Sequence, residues 1–274
     1  MNEQIPAATT AGKRSGAAID AALAEGRKGL VVYLPVGYPT VAGSVAAART
    51  AVDAGADIVE LGLPYSDPGM DGEVIQHATT RALAQGTRVT DVLHAVEQVA
   101  ATGAAVLVMT YYNPVLRYGV DRFARDLANA GGAGLITPDL IPDEAGAWVA
   151  AADAHDLDKV FLVAPSSTDE RLAMTAAACR GFVYAASTMG VTGVRSSVDS
   201  HARELVARTR AAGGRRVCVG LGVSTGDQAA EVAEYADGVI VGSALVRALG
   251  DPDPEAGLAA LRSVVTDLAA GVRR

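Results

Sequence analysis

The stretch VELGLPYSDPGMDG (Val59–Gly72) joins a short apolar run to a long loop built from Pro, Gly, Asp and Ser. Glu60 lies inside the apolar run, where burying a charged side chain costs free energy. Such a residue is expected to have a compensating partner or a functional role. Strands of parallel sheets have this apolar character because both of their faces are covered, and the loops between elements often carry functional side chains. The stretch therefore predicts a buried parallel strand with an acidic residue at its end.

Similar apolar runs recur along the chain, each bounded by Gly, Pro or Asp, and Ala-rich stretches with helical spacing separate them. Eight runs in one chain, alternating with helices, are typical of a closed parallel barrel. The predicted strands are Leu30–Leu34, Asp57–Leu61, Ala105–Met109, Gly134–Thr137, Val160–Val163, Phe182–Ala185, Val217–Gly220 and Gly238–Val241.

We predict a single (β/α)8 (TIM) barrel with extra helices, formed by residues 15–274 and preceded by a flexible tail of residues 1–14. One extra helix lies at the N-terminus, with Ser15 as its expected N-cap. Another lies between the second and third strands, where two helical stretches occur (Gly72–Gln85 and Val89–Thr102). An open doubly wound sheet is the alternative, disfavoured because no glycine-rich dinucleotide turn follows the first strand.

The composition excludes several classes of function. The 274 residues are 50% hydrophobic and carry a net charge of −8, which argues against a nucleic-acid partner. No apolar run approaches the roughly 20 residues of a membrane span, and the first residues lack the apolar core of a signal peptide. Cys179 and Cys218 have no metal-ligand spacing and suit a reducing compartment. We expect a soluble, cytoplasmic protein.

Lysine and histidine are not predicted at the carboxyl ends of strands, where barrels of this type place their active sites. Schiff-base catalysis, a histidine metal site and a Ser–His pair are therefore disfavoured. The residues concerned are Lys13, Lys28, Lys159, His77, His94, His155 and His201.

Carboxylates remain as candidates for the chemistry. Burial of Glu60 at the end of its strand would raise its pKa towards the range useful for acid/base catalysis. A structural glutamate that accepts hydrogen bonds inside the barrel is an equally good interpretation from position alone. Asp67, Asp71 and Asp139 follow strand ends beside Pro or Gly, where aspartates commonly form turns.

Three glycine-rich loops follow the sixth, seventh and eighth strands, at Gly190–Gly193, Gly220–Ser224 and Gly242-Ser243. Barrels commonly bind phosphate in such loops, because glycine lets backbone N–H groups approach the anion and a helix N-terminus adds positive charge. Arg195 is the nearest cation in the sequence. The residues thus indicate a barrel that binds a phosphorylated small molecule.

Several segments resemble the tryptophan synthase alpha chain family, in its actinobacterial-like form. They occur in the order that the family shows and span roughly residues 28 to 270. The segments are Val59–Gln76, Thr110–Gly119, Thr137–Glu144, Phe161–Thr168, Ser187–Gly193, Gly220–Ser224 and Asp237–Val246.

The resemblance implies the retro-aldol cleavage of indole-3-glycerol phosphate to indole and glyceraldehyde 3-phosphate. Glu60 then matches the residue that moves protons between indole C3 and the glycerol hydroxyl, and Asp71 the residue that holds the indole N–H. The implied substrate-binding residues are Tyr33 and Leu221 at the indole, Tyr184 beside the substrate, Thr192 on the closing loop, and Gly193, Gly222, Gly242 and Ser243 around the phosphate.

The resemblance also implies a partner. Family members work in an α2β2 assembly, whose beta chain uses pyridoxal phosphate to convert indole to tryptophan, while the alpha chain needs no cofactor or metal. The implied contact surface is the Asp67–Asp71 loop together with Asn113-Pro114. The chain departs from the family pattern at Gly69, Glu73-Val74 and Ile141, mainly in the loop around Asp71.

Two other functions stay open from the residues alone. One is an isomerase or synthase that acts on a different sugar phosphate in another phosphate-binding barrel. The other is a binding subunit whose main role is to activate a partner enzyme.

Overall fold

The computed structural model describes residues 14–187, 195–220 and 222–274, and for residues 195–199 it describes the backbone alone. Eight parallel strands pair in sequence order, and β1 also pairs with β8, so the sheet closes into a barrel. The strands are β1 (Gly29–Pro35), β2 (Ile58–Gly62), β3 (Ala105–Met109), β4 (Gly134–Thr137), β5 (Asp158–Val163), β6 (Val183–Ala186), β7 (Val217–Gly220) and β8 (Gly238–Val241).

Helices cover the outside of the barrel. They are α1 (Ser15–Ala24), α2 (Val41–Asp53), α3 (Glu73–Ala84), α4 (Val89–Ala100), α5 (Tyr112–Tyr118), α6 (Val120–Asn129), α7 (Gly146–Ala154), α8 (Asp169–Ala178), α9 (Arg195–Ala211), α10 (Gly226–Ala233), α11 (Ser243–Ala248) and α12 (Pro254–Gly271). The predicted barrel is confirmed, and so are the helix before β1 and the two helices between β2 and β3. No helix in the described ranges has the length and apolar character needed to cross a bilayer.

The start of α1 corrects one detail of the prediction. Arg14 is the N-cap, and Ser15 is the first helical residue. The backbone N–H and the hydroxyl of Ser15 both donate to the carboxylate of Asp158 at the start of β5, at 2.9 and 2.6 Å. A carboxylate at a helix N-terminus is favourable because it satisfies free N–H groups and opposes the helix dipole. The cap therefore comes from a distant strand, which local sequence does not reveal.

Helix α5 was not predicted. It begins directly after β3 and has Pro114 in its first turn, where the missing N–H of proline costs nothing. The carboxylate of Asp139, beyond β4, accepts hydrogen bonds from the N–H of Tyr112 at 3.0 and 3.2 Å. Asp139 thus stabilises the start of α5.

A cluster of small and branched side chains fills the barrel interior, and α1 closes its amino-terminal end. Ile19 of α1 is fully buried in this cluster. Its terminal carbon lies where a side chain at Gly29 or Gly238 would stand, at the starts of β1 and β8. The bottom of the barrel is therefore sealed, and the opposite end is left for a site.

Candidate functional site

A cavity of about 250 Å³ opens at the carboxyl ends of the strands, at the end where barrels of this type place their active sites. Side chains from β1, β2, β3, β6 and β8 reach it, together with the loops after β2, β7 and β8. It is lined by Tyr33, Glu60, Met70, Asp71, Gly72, Ile75, Met109, Tyr184, Gly220, Gly222, Ile240, Gly242 and Ser243.

Glu60 is the fully buried acid of this cavity. Its neighbours in the sheet register are Tyr33 on β1 and Leu107 on β3. Neither carboxyl oxygen has a hydrogen-bond partner among the described residues. Burial raises the pKa of Glu60 to about 8, because a buried carboxylate loses the water that would stabilise its charge. At neutral pH the group is therefore mainly a neutral acid, poised to donate a proton.

Tyr33 and Tyr184 line the cavity together with Glu60. Each phenol lies over a glycine of the next strand, Tyr33 over Gly62 and Tyr184 over Gly220, and a side chain at either glycine would collide with it. Burial raises the pKa of both phenols well above the ordinary value, and the nearby carboxyl of Glu60 raises it further. The two rings remain neutral and provide flat, largely apolar walls.

Asp71 reaches the cavity from the loop between β2 and α3 and is partly buried. Burial raises its pKa, and a hydrogen bond from the Tyr111 phenol acts in the opposite direction. Its backbone carbonyl accepts a hydrogen bond from the side-chain amide of Gln76 at 2.7 Å. The site thus contains two acids in different settings, one buried on a strand and one on a loop with a hydrogen-bond donor.

The structure brings together seven residues that the sequence predicted for the site, namely Tyr33, Glu60, Asp71, Tyr184, Gly222, Gly242 and Ser243. Thr192, Gly193 and Leu221 lie outside the described residues. Asp67 is exposed, accepts a hydrogen bond from the Ser66 hydroxyl and does not line the cavity.

The described lysines and all four histidines lie away from the cavity, as predicted. Lys28 precedes β1, and Lys159 lies near the start of β5 with its ammonium on Asp153. The histidines His77, His94, His155 and His201 lie on helices or at a helix end.

Sequence reasoning did not identify Met70, Gly72, Ile75, Met109 and Ile240 as lining residues, whereas Gly220 begins one of the predicted glycine-rich loops. Met109 is the last residue of β3, so the rule that active sites lie at the carboxyl ends of strands could have found it. Ile75 and Ile240 carry no such signal, because an apolar residue on a helix or strand normally belongs to the core.

Comparison with known proteins gives a consistent result. The family model described as tryptophan synthase alpha chain matches residues 19–273. A tryptophan synthase alpha chain from Mycobacterium marinum is 62% identical over 261 residues, covering 95% of each chain. One from Mycobacterium tuberculosis is 60% identical over 260 residues, covering 95% of this chain and 94% of the relative.

Solved structures agree with these sequence matches. A chain of tryptophan synthase from M. tuberculosis, in an aminoacrylate-bound form, superposes with a TM-score of 0.87 at 57% identity. The match covers 95% of this chain and 100% of that one. A tryptophan synthase subunit alpha from Legionella pneumophila superposes with a TM-score of 0.86 at 32% identity, covering 94% and 98% of the two chains.

Proposed function

Because the chain belongs to the tryptophan synthase alpha chain family, we propose that Glu60 and Asp71 carry out the family's lyase reaction in the cavity described above. The reaction cleaves indole-3-glycerol phosphate to indole and glyceraldehyde 3-phosphate. The observation that carries the assignment is the fully buried Glu60, whose carboxyl oxygens have no partner among the described residues. An unpartnered buried acid is costly, and a reacting substrate is the partner that would account for it.

The proposed chemistry requires one proton donor that becomes a proton acceptor. The neutral carboxyl of Glu60 gives its proton to C3 of the indole ring, and the ring becomes an electron-poor cation. The glycerol hydroxyl on the carbon attached to C3 then returns a proton to Glu60, while the bond between that carbon and C3 breaks. Its electron pair restores the aromatic ring, so indole and an aldehyde are released with all protons balanced.

Asp71 stabilises the charge that appears in this step. Its carboxylate accepts a hydrogen bond from the indole N–H, where positive charge develops after C3 is protonated. The apolar parts of Tyr33, Met109 and Tyr184 provide walls for the flat ring. The protonated ring serves as the electron sink, so we propose that this chain needs no cofactor, and the pyridoxal phosphate belongs to the beta chain.

We place the phosphate group beside Gly222, Gly242 and Ser243. These residues line the cavity after β7 and β8, and Ser243 is the first residue of α11. Backbone N–H groups without bulky side chains suit a phosphate, and barrels commonly use the loops after these two strands for that purpose. Thr192 and Gly193 would complete the enclosure by resemblance to the family.

The beta chain is the partner of this reaction, and an exposed apolar rim patch supports the predicted contact surface. This patch consists of Met70, Leu116 and Ile141, which are 58%, 54% and 39% exposed and follow three consecutive strands. Large apolar side chains grouped on a surface commonly mark protein contacts.

Cys179 and Cys218 are free thiols, as is usual in a reducing compartment, and we propose the cytoplasm as the location.

The alternative functions have less support. The match to the tryptophan synthase alpha chain model over residues 19–273 favours the lyase over a different sugar-phosphate enzyme. A purely activating subunit would not need Glu60 and Asp71 in one cavity. Soaking with indole-propanol phosphate and with a ribose phosphate analogue distinguishes these cases. We expect only the indole compound to occupy the cavity.

Replacing Asp71 with Asn should lower kcat/KM for indole release by about 10²-fold, the usual scale for removing one group that stabilises transition-state charge. The measurement is indole formation from indole-3-glycerol phosphate by the isolated chain. Asp67→Asn is the matched control, because Asp67 lies on the same loop but outside the cavity. Equal activities of the two variants would refute the role of Asp71.

Leu116→Glu should weaken association with the beta chain by at least about 10-fold, because it places a charge in the apolar rim patch. Calorimetric titration of the beta chain into the variant measures this, and cleavage by the isolated chain should be unchanged. Leu83→Glu is the control, since Leu83 is also an exposed leucine but lies on α3. Unchanged affinity in Leu116→Glu would show that the contact lies elsewhere.

A further inference from the structure

Tyr111 is a buried tyrosine between β3 and α5 whose side chain contacts the loop that carries Asp71. Its phenol oxygen accepts a hydrogen bond from the backbone N–H of Met70 at 2.9 Å. Met70 directly precedes Asp71, so the phenol fixes the peptide next to the proposed charge-stabilising acid. Tyr111 lies in the family-like segment Thr110–Gly119, but neither the residue pattern nor the resemblance implied a role for it.

A second contact fixes the ring of Tyr111 against the same loop. Tyr65, near the start of that loop, packs on Tyr111 with ring centroids 5.3 Å apart and an angle of 32° between the planes. The hydroxyl of Tyr65 accepts a hydrogen bond from the side-chain amide of Asn113 in α5 at 3.1 Å. The β2–α3 loop is thus attached to the start of α5 at two points.

The peptide that follows Asp71 is also fixed in position, since the side-chain amide of Gln76 donates a hydrogen bond to the backbone carbonyl of Asp71. With Met70 bound to Tyr111 and Asp71 bound to Gln76, the peptide on each side of the Asp71 side chain has a defined position. The phenol has one proton left to donate after accepting from Met70. The nearby Asp71 carboxylate is the group that gains from this donation, which partly offsets the rise in the pKa of Asp71 that burial causes.

We propose that Tyr111 is a positioning residue for the cleavage reaction, which holds the Met70–Asp71 peptide so that the Asp71 carboxylate meets the indole N–H. The proposal rests on the function proposed above. Tyr111 does not line the main cavity but a smaller one beside it, and its contacts reach the site through the loop that carries Asp71. Catalytic groups need to be held close to their productive geometry, and small misplacements reduce rates strongly.

Tyr111→Phe tests the proposal, because it keeps the ring and removes only the hydroxyl. We expect kcat for indole release to fall about 10-fold, as is usual when a hydrogen bond that serves a charged group is lost. KM should change little, since the phosphate-binding residues are untouched. The acid limb of the kcat–pH profile should move to higher pH, because Asp71 loses the donor that lowers its pKa.

Tyr112→Phe is the matched control. Tyr112 is the next residue, and its buried hydroxyl has no hydrogen-bond partner among the described residues. This variant should keep wild-type kinetics and an unshifted pH profile. Thermal melts of all variants show that each is folded under the assay conditions.

A double-mutant cycle separates this proposal from the proposed function. If Tyr111 acts through Asp71, adding Tyr111→Phe to Asp71→Asn should lower activity by less than about twofold more. If the losses of activity caused by Tyr111→Phe and Asp71→Asn simply multiply in the double variant, the positioning role is overturned. Wild-type kinetics in Tyr111→Phe would overturn it as well. Wild-type kinetics in Asp71→Asn would instead overturn the proposed function itself.

Discussion

Glu60→Gln should reduce indole formation by about 10² to 10⁴-fold, the range found for a primary acid/base group. The amide has nearly the shape of the carboxyl group but cannot give a proton to C3 of the indole or take one from the glycerol hydroxyl. Because binding of the phosphate and of the ring is left intact, the loss should appear in kcat, with KM nearly unchanged. The measurement is indole release with the beta chain present.

Glu204→Gln on α9 is the control for this experiment, since it makes the same chemical change at an exposed position away from the cavity. It should have wild-type activity. A folded Glu60→Gln protein that retains near-normal turnover would show that another group moves the protons.

The same substitution should stabilise the fold at neutral and alkaline pH. The pKa of Glu60 is raised from 4.5 to about 8 in the folded chain, so between these values the unfolded chain loses this proton while the folded chain keeps it. Stability of the wild type therefore falls as pH rises from about 4.5 to about 8. The accumulated cost is on the order of 5 kcal/mol, at about 1.4 kcal/mol for each pKa unit. Glutamine has no proton to lose and avoids this cost.

Urea unfolding of wild type and Glu60→Gln at pH 5, 6.5 and 8 measures this effect. The stability difference should be small at pH 5 and should grow to several kcal/mol at pH 8. Glu204→Gln should show no such growth. A difference that stays constant across this range would mean that Glu60 titrates near its ordinary pKa.

Much of the fold could be predicted because the sequence repeats one physical pattern. Val, Ile and Leu runs of four to five residues specify strands buried on both faces, and the observed bounds of β3, β4, β7 and β8 equal the predicted ones. The rule that active sites lie at the carboxyl ends of strands then located Glu60 and Ser243, since it depends only on where strands end. The same rule also correctly placed the histidines and the described lysines, Lys28 and Lys159, outside the cavity. Tyr184 was assigned through the family resemblance.

Features that depend on contacts between distant segments could not be predicted. The capping of α1 by Asp158 and of α5 by Asp139 joins elements that are far apart in sequence. The full burial of Glu60 depends on how neighbouring strands pack, and position alone allowed only partial burial. The contact of Tyr111 with Met70 arises where two loops cross, and neither loop specifies it alone.

The position of Ile19 has a consequence for the order in which the chain folds. Its side chain occupies space left by Gly29 and Gly238, which meet only where β1 pairs with β8. That pairing joins strands from opposite ends of the chain, and contacts between such distant segments form slowly because a long loop must close. The complete surroundings of Ile19 therefore form only once the ring has closed, so a fluorescent probe next to Ile19 would report ring closure.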